Sequence, residues 1–260
     1  MPSKELEVSK WKPPVKAFFP SRARRWLRML QQRLTLWPPR GSVRFGSLRR
    51  LTPVSRIFGL DRGQCIDRYY IEEFLDHHAD DIRGHVLEIG DDTYTRKFGG
   101  ERLTKSSVLH VWNDNPKATI VADLTGEEGH IPSNTFDCII CIQTLQCIYD
   151  VRAAVQTLYR ILKPGGVVLA TFSGISQISR YDMDRWGEYW RFTTLSARRL
   201  FEEGFAAPNV SVDSYGNVLT AIAFLHGIAA QELRREELEY RDHDYEVLIA
   251  VRAQKPGTKL

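Results

Sequence analysis

Five short and nearly continuous apolar runs follow one another through the middle of the chain, and they constrain its fold more than any other feature. Apolar runs of this length suit strands that are buried on both faces, as in a parallel sheet covered by helices. A helical pattern between the last two runs begins after Asp150, a residue suited to capping, and stops at Pro164. The chain therefore predicts an α/β domain with helices on both sides of a parallel sheet. The runs span residues 85–90, 106–112, 118–124, 136–142 and 166–172.

The C-terminal third adds further elements to this alternation. Residues 209–215 and 245–253 have the composition of two more strands, and a long apolar-faced helix is predicted from about 218 to 238. The connection after the fifth run, about residues 173–193, is too long for a simple turn and is rich in aromatic and charged residues. Loops of this kind within compact domains are usually functional.

The charge of the chain is divided unevenly along its length. Residues 1–56 hold 14 lysines and arginines against two glutamates, whereas the remainder holds 22 basic and 30 acidic residues. The first segment also contains seven prolines, which do not suit a core. We expect a basic N-terminal extension over residues 1–56 and an acidic folded domain over residues 57–255.

One piece of this extension has the pattern of an amphipathic helix. Residues 21–37 place Trp26, Leu30 and Trp37 at helical spacings among five arginines. Three interpretations remain open: packing on the protein's own domain, contact with an anionic membrane surface, or binding to nucleic acid or a protein partner. Nucleic acid is the less favoured partner because the domain itself is acidic.

Composition also bears on the compartment and on metals. No apolar run approaches the roughly 20 residues of a membrane-spanning helix, and the N-terminus lacks a secretory signal, so we expect a cytoplasmic protein, peripheral at most to the inner face of a membrane. Cys138 and Cys141 have a spacing seen in zinc sites, but they fall on a strand, where residues three apart point to opposite faces. We expect buried thiols and no metal.

The turn after the first strand has part of a cofactor-binding pattern. Glu88 lies two residues before Gly90, and Asp91 and Asp92 follow, so that acidic side chains stand where a pyrophosphate loop would carry glycines. Added negative charge repels phosphates but is compatible with a cationic sulfonium cofactor. Asp123 stands at the end of the third strand, the edge of an open parallel sheet where ligands bind.

These residues, with the segments VLEIG, ADL, IQTLQCI and LKPGGVVLATF, resemble a class I S-adenosylmethionine-dependent methyltransferase, of the type 11 group, over roughly residues 71–205. The resemblance implies a Rossmann-like three-layer αβα sandwich whose seven-stranded, mostly parallel sheet ends in an antiparallel strand. It also implies S-adenosylmethionine as cofactor. The family's loop carries glycines at alternate positions, and here Asp92 and Tyr94 replace the second and third.

Carried over residue by residue, the resemblance implies a set of cofactor contacts. Glu88 anchors the loop, Gly90 lets the methionyl group lie against the backbone, and Asp123 contacts the adenine. The family's ribose-binding acid falls at Trp112, so Asp114 is the candidate, ahead of Asn113. The full set of cofactor-binding candidates is Glu88, Gly90, Asp91, Asp114, Asp123, Leu124, Gln143 and Thr144.

The acceptor side is predicted in the connection of residues 173–193, where Trp186, Tyr189, Trp190 and Arg191 are the candidates; the alternative is a lid that packs on the domain. Aromatic faces beside carboxylates suit sugars or other flat polar molecules. No single base stands out for a hydroxyl acceptor. The candidates are Asp182, Asp184 and His226.

We therefore expect a methyltransferase that acts on an oxygen of a small molecule or a glycan. Two alternatives remain open. One is an RNA methyltransferase, which the basic extension favours and the acidic domain disfavours. The other is a non-catalytic scaffold with a degenerate cofactor loop, which would bind no S-adenosylmethionine.

Overall fold

The computed structural model of the protein describes residue 38 and residues 41–126 and 131–257. The chain divides into two compact units, Met1–Arg50 and Leu51–Leu260. Of the first unit, the described part contains one short 3₁₀ turn, Gly46–Leu48. The predicted amphipathic helix of residues 21–37 lies outside the described residues.

The second unit is built around one seven-stranded sheet in the order β3-β2-β1-β4-β5-β7-β6. Neighbouring strands from β3 to β5 are parallel, and β7 is antiparallel to both β5 and β6. The predicted sheet, with its antiparallel last strand, is confirmed. The strands are β1 Gly84–Ile89, β2 Leu103–His110, β3 Ile120–Val121, β4 Phe136–Ile142, β5 Leu162–Ser173, β6 Val210–Tyr215 and β7 Leu248–Gln254.

Seven α-helices lie among these strands in the described residues. They are α1 Ile66–His77, α2 Thr93–Gly99, α3 Val151–Ile161, α4 Arg180–Met183, α5 Thr194–Phe205, α6 Val218–His226 and α7 Arg235–Glu239. Helix α3 begins as the sequence predicts, because the Asp150 side chain accepts a hydrogen bond from the backbone N–H of Ala153. None of the described helices is long and apolar enough to cross a membrane.

Two apolar cores cover the two faces of the sheet. On one face, Leu158 of α3 and Phe201 of α5 are fully buried against the strands, and on the other, Phe74 of α1 and Phe224 of α6 are buried. Cys138 and Cys141 of β4 belong to opposite cores, as the two-residue period of a strand requires. The described residues contain no cluster of His, Cys, Asp or Glu suited to a metal ion.

The long helix predicted over about residues 218–238 is wrong, because it stops at His226. Gly227 adopts the left-handed conformation, φ +66°, and ends α6. A Cβ atom at Gly227 would lie 2.4 Å from the carbonyl oxygen of Ser55, so only glycine fits at this crossing. The rest of the segment forms a 3₁₀ turn, Ala230–Glu232, and then α7.

Candidate functional site

A cavity of about 660 Å³ opens at the carboxyl edge of the parallel strands. It lies beyond the ends of β1 to β4 and is closed on one side by the connection between β5 and α5. Its size falls within the roughly 300–1,000 Å³ typical of small-ligand sites. Of the predicted cofactor contacts, the lining includes Gly90, Asp123, Leu124, Gln143 and Thr144.

Gly90 follows the end of β1, and the space beside its Cα atom is open. Its φ of +95° is one that side chains rarely adopt, and an added Cβ atom would meet no atom within 4 Å. Its N–H donates to the carbonyl of Leu109 over 2.9 Å, and its carbonyl accepts from Nδ2 of Asn115 over 2.6 Å. Since both backbone groups are occupied, Gly90 offers a ligand close approach rather than hydrogen bonds.

Glu88 lies beneath the loop and does not line the cavity. Its side chain is 2% exposed, and its two carboxylate oxygens accept from the backbone N–H groups of Tyr94, over 3.2 Å, and Thr95, over 2.7 Å. Burial raises the pKa of this carboxyl group to about 7, against the lowering effect of the two hydrogen bonds. Glu88 therefore anchors the start of α2 from beneath the loop, and its predicted place among the cofactor contacts stays a prediction.

The first amides of α2 are thus satisfied within the protein. Asp91, also outside the lining, accepts from the backbone N–H and the hydroxyl of Thr93, each over 3.0 Å. A pyrophosphate would need these amides free. The loop is therefore unsuited to a dinucleotide.

The two residues that replace the loop glycines have partners of their own. Asp92 forms ion pairs with Arg96 and, over 3.7 Å, with Lys117. The hydroxyl of Tyr94 accepts a hydrogen bond from Nη1 of Arg68 over 3.1 Å, and Arg68 lines the cavity. The sequence reasoning missed Arg68 because it lies on the helix before β1, 26 residues from Tyr94, and no spacing pattern joins the two.

At the ends of β2 and β3, aromatic and acidic side chains meet the cavity. Trp112 lines it, whereas Asp114 is exposed, lies outside the lining and pairs with Nδ1 of His110 over 3.5 Å. Oδ1 of Asp123 accepts from the backbone N–H of Thr125 over 2.7 Å and from its hydroxyl over 2.9 Å. This leaves the other Asp123 oxygen without a hydrogen bond to the described residues.

At the end of β4, Gln143 is held by two buried neighbours. Oε1 of Gln146 accepts from the backbone N–H of Ser173 over 3.4 Å, which fixes the orientation of the Gln146 amide. Nε2 of Gln146 and the hydroxyl of Ser173 then donate to Oε1 of Gln143 over 2.6 and 2.8 Å. Nε2 of Gln143 is left buried without a partner among the described residues. Buried donors are rarely left unpaired, and Gln143 lines the cavity, so Nε2 is a candidate for a ligand contact.

The connection after β5 crosses the cavity, but only part of it faces inward. Trp186, Tyr189 and Asp182 line the cavity, and Nε1 of Trp186 is a second buried donor with no partner among the described residues. Trp190 and Arg191 lie outside the lining. The former donates Nε1 to the carbonyl of Ile148 over 3.0 Å; the latter pairs with Glu188 over 2.8 Å.

The other two candidate bases lie away from this cavity. Asp184 is exposed and pairs with Arg180 over 3.8 Å. His226 ends α6, and its carbonyl accepts from the backbone N–H groups of Val54, over 2.8 Å, and Ser55, over 3.0 Å. Asp182 is thus the candidate base that the fold brings to the other predicted residues.

The sequence of this region matches a known family. Residues 100–170 match the family model described as a methyltransferase domain, from just before β2 to within β5. Residues 100–170 are therefore similar to a methyltransferase domain, as the resemblance to the class I S-adenosylmethionine-dependent family predicts. No curated protein sequence matches the chain.

Solved structures of methyltransferases resemble this chain at low sequence identity. A SAM-dependent methyltransferase from Archaeoglobus fulgidus is 13% identical, with 72% of this chain and 94% of that chain covered and a TM-score of 0.49. The N-methyltransferase NodS from Bradyrhizobium japonicum, in complex with S-adenosyl-L-homocysteine, is 14% identical, with 88% and 97% covered and a TM-score of 0.47.

The residues around the cavity fit S-adenosylmethionine. The open side of Gly90 is a cradle that any side chain would fill, and the unpaired donor of Trp186 can pair with an oxygen or nitrogen acceptor. Arg68 and Asp123 supply charges of both signs, as an amino acid and a nucleoside on one cofactor require. The loop amides needed by a pyrophosphate are occupied, which distinguishes the site from that of a dinucleotide.

Proposed function

We propose that this methyltransferase transfers the methyl group to a hydroxyl oxygen of a small molecule or a glycan. The observation that carries the proposal is the fixed orientation of the Gln143 side chain. Its amide oxygen is committed to Gln146 and Ser173, so the group that is left unpaired beside the cavity wall is a donor, Nε2. A donor at this position selects a ligand atom that has a lone pair to accept with.

A hydroxyl oxygen meets this requirement and an amine does not. A hydroxyl has two lone pairs, of which one attacks the methyl group while the other accepts from Nε2 of Gln143. A neutral amine has one lone pair, and it is consumed in the attack. The donor therefore favours oxygen over nitrogen as the methylated atom.

S-adenosylmethionine supplies the transferred methyl group from its sulfonium. The chain's own residues bind and orient it: Gly90 allows close approach at the methionyl end, and Asp123 and Leu124 hold the adenine end, with Thr144 at the end of β4 between the two sides. Trp112 takes the place of the family's ribose-binding acid with a stacking face. In-line transfer then depends mainly on alignment.

Asp182 is the proposed base. It lines the cavity and accepts no hydrogen bond at its carboxylate from the described residues, so it is free to take the hydroxyl proton. Tyr149 and Tyr189 line the same side, with ring centroids 5.4 Å apart. Aromatic faces beside a carboxylate suit the apolar faces and hydroxyls of a sugar or a flat polyhydroxyl compound.

The proposal is tested in two stages with the full chain. Isothermal titration with S-adenosylmethionine and S-adenosylhomocysteine comes first, followed by transfer of a labelled methyl group to pooled phenols, sugars, amines and RNA, with products identified by mass spectrometry. We expect binding of both cofactor forms and methylation of a hydroxyl compound. Failure to bind either form supports the scaffold alternative, and salt-sensitive methylation of RNA alone supports the RNA alternative.

Gln143→Glu tests the oxygen argument. The substitution keeps an acceptor for Gln146 and Ser173 but replaces the donor by a second acceptor, so we expect at least about a tenfold loss of transfer. Gln254→Glu is the matched control, since Gln254 lies on β7 and donates to the carbonyl of Gly165, away from the cavity. Equal activity of both variants would remove the case for oxygen.

A further inference from the structure

A cation faces the cavity without an ion-pair partner. Arg68 is half-buried on α1, and the one hydrogen bond of its guanidinium to the described residues goes from Nη1 to the hydroxyl of Tyr94. In the part of the chain that the structure describes, no carboxylate lies within ion-pair distance of it. Most of its N–H groups therefore remain free at a cavity wall.

The Arg68 side chain remains positively charged in this environment. Burial lowers the pKa of Arg68, but the nearby charge of Asp67 and the hydroxyl of Tyr94 more than offset burial, so the pKa lies above its usual value. A half-buried guanidinium with free N–H groups is matched best by a planar anion that accepts two parallel hydrogen bonds. A carboxylate has this geometry.

Tyr94 fixes the position of this cation in the site. It occupies the place of the third glycine of the family's loop, four residues after Gly90, and its ring stacks on that of Phe98 with centroids 6.3 Å apart. The hydroxyl that receives Arg68 is therefore set by packing, and it orients the guanidinium of a residue that lines the same cavity as Gly90. A glycine at position 94 could not do this.

We propose that Arg68, positioned by Tyr94, binds the carboxylate of the cofactor's methionyl group. The inference rests on the proposed binding of the methionyl end at Gly90. In place of a backbone cradle built from three glycines, this loop keeps Gly90 and uses its third position to hold a cation. Tyr94, which replaces a glycine, thus contributes to binding of the methionyl carboxylate through the cation that it positions rather than through the backbone.

The test compares two ligands that differ in the amino-acid group. S-adenosylhomocysteine carries the carboxylate, whereas 5′-methylthioadenosine keeps the adenosine and the sulfur and lacks it. In isothermal titrations of the full chain, Arg68→Met should weaken the binding of S-adenosylhomocysteine at least about tenfold and that of 5′-methylthioadenosine less than about twofold. Arg68→Lys should recover part of the loss, because it restores the charge without the planar fork.

Tyr94→Phe should weaken S-adenosylhomocysteine alone, by about two- to fivefold, because the guanidinium keeps its charge and loses its positioning bond. Arg83→Met is the control, an exposed arginine outside the cavity. Thermal unfolding of each variant without ligand separates lost binding from lost folding.

Equal losses for the two ligands in Arg68→Met, or no loss for either, would overturn the inference. Unchanged binding of S-adenosylhomocysteine with a raised KM for the methyl acceptor would also overturn it, by showing that the carboxylate belongs to the acceptor. If the unaltered protein bound neither ligand, the proposed function itself would fail, an outcome distinct from the other three.

Discussion

The indole ring of Trp186 lies 5.9 Å from that of Trp112, with the two planes inclined at 32°. Trp112 lies two residues after the end of β2, whereas Trp186 belongs to the connection that leaves β5, three positions along the sheet order. The backbone N–H of Tyr189 donates to the carbonyl of Gln146 over 2.8 Å, which ties the same connection to the loop after β4. The connection therefore spans the carboxyl edge of β4 and β1.

From this contact we expect Trp186 to bind the cofactor rather than the acceptor. Because Trp112 stands where the family binds the ribose, we expect Trp186→Ala to raise the Kd of S-adenosylhomocysteine about tenfold, or about 1.4 kcal/mol. Isothermal titration measures the change. The control is Trp190→Ala, whose ring stacks on Tyr149 at 5.8 Å outside the lining, and which should leave the Kd within about twofold.

The sequence-based interpretation of Trp186 makes the opposite prediction. If Trp186 recognises the acceptor, Trp186→Ala would leave the Kd of S-adenosylhomocysteine unchanged and lower transfer alone. The two measurements on one variant decide between the roles.

Gly90 offers a second test of the cofactor site. A Cβ atom there would project into the open side of the turn, so Gly90→Ala should weaken S-adenosylhomocysteine at least about tenfold while the sheet stays folded. Strain at positive φ is common to any such change and costs roughly 1–2 kcal/mol of stability. Gly165→Ala is the matched control, because Gly165 lies outside the cavity lining. The φ of Gly165 is +83° and an added Cβ atom there also meets nothing within 4 Å, so the substitution introduces similar backbone strain.

Calorimetric melting temperatures and titrations of the two glycine variants are compared side by side. We expect similar losses of stability and a loss of affinity only in Gly90→Ala. Similar affinities in both variants would show that the cofactor does not approach this backbone.

Strand positions were readable from the sequence because burial on both faces leaves continuous apolar runs. The run of residues 136–142 corresponds to β4 at both ends, and the opposite burial of Cys138 and Cys141 follows from the strand period alone. The end of α6 was not readable. Gly227 ends that helix in a left-handed conformation, and its backbone packs against Ser55, a residue far away in the sequence.

The residues of the site also fall into a group that the sequence locates and a group that it does not. Gly90 and Asp123 reach the cavity from strand ends that a sequence pattern locates, whereas the contacts that orient Gln143 and Arg68 come from other elements. Hydrogen bonds of this kind leave no periodic trace. Asp114 illustrates the limit, since its place after β2 suggested a ribose contact and its side chain instead pairs with His110.

The basic N-terminal extension yields a prediction that the folded unit can test. A chain of residues 51–260 should fold and bind S-adenosylhomocysteine like the full chain, because it retains the whole sheet and the buried Ser55, whose N–H donates to His226 over 3.0 Å. It should lose attachment to anionic vesicles, which we assign to residues 21–37. Co-sedimentation with phosphatidylserine vesicles at low and high salt measures the difference.

Replacing Trp26 and Trp37 by Ser in the full chain is the matched control, since it removes the apolar face and keeps the arginines. We expect weakened vesicle binding in this variant as well. If the full chain did not bind anionic vesicles at low salt, the membrane interpretation would be excluded.

Glu88 should make the stability of the protein depend on pH. Burial raises the pKa of its carboxyl group in the folded state to about 7, against about 4.3 for an unfolded glutamate. Between these values the folded state binds the proton more tightly, so the contribution of Glu88 to stability is largest below about pH 4.3 and is lost as the pH rises through 7. The full change is roughly 4 kcal/mol, taking about 1.4 kcal/mol for each pKa unit.

Comparison with Glu88→Gln isolates this contribution from those of other groups. The pKa values of His78 and His85 are lowered by burial and shift stability in the opposite direction, but these residues are common to both proteins and cancel in the difference. Urea unfolding at pH 5, 6, 7 and 8 should show the unaltered protein losing stability relative to Glu88→Gln as the pH rises. A difference that stays constant over this range would mean that Glu88 is ionised throughout, held by its bonds to the backbone N–H groups of Tyr94 and Thr95.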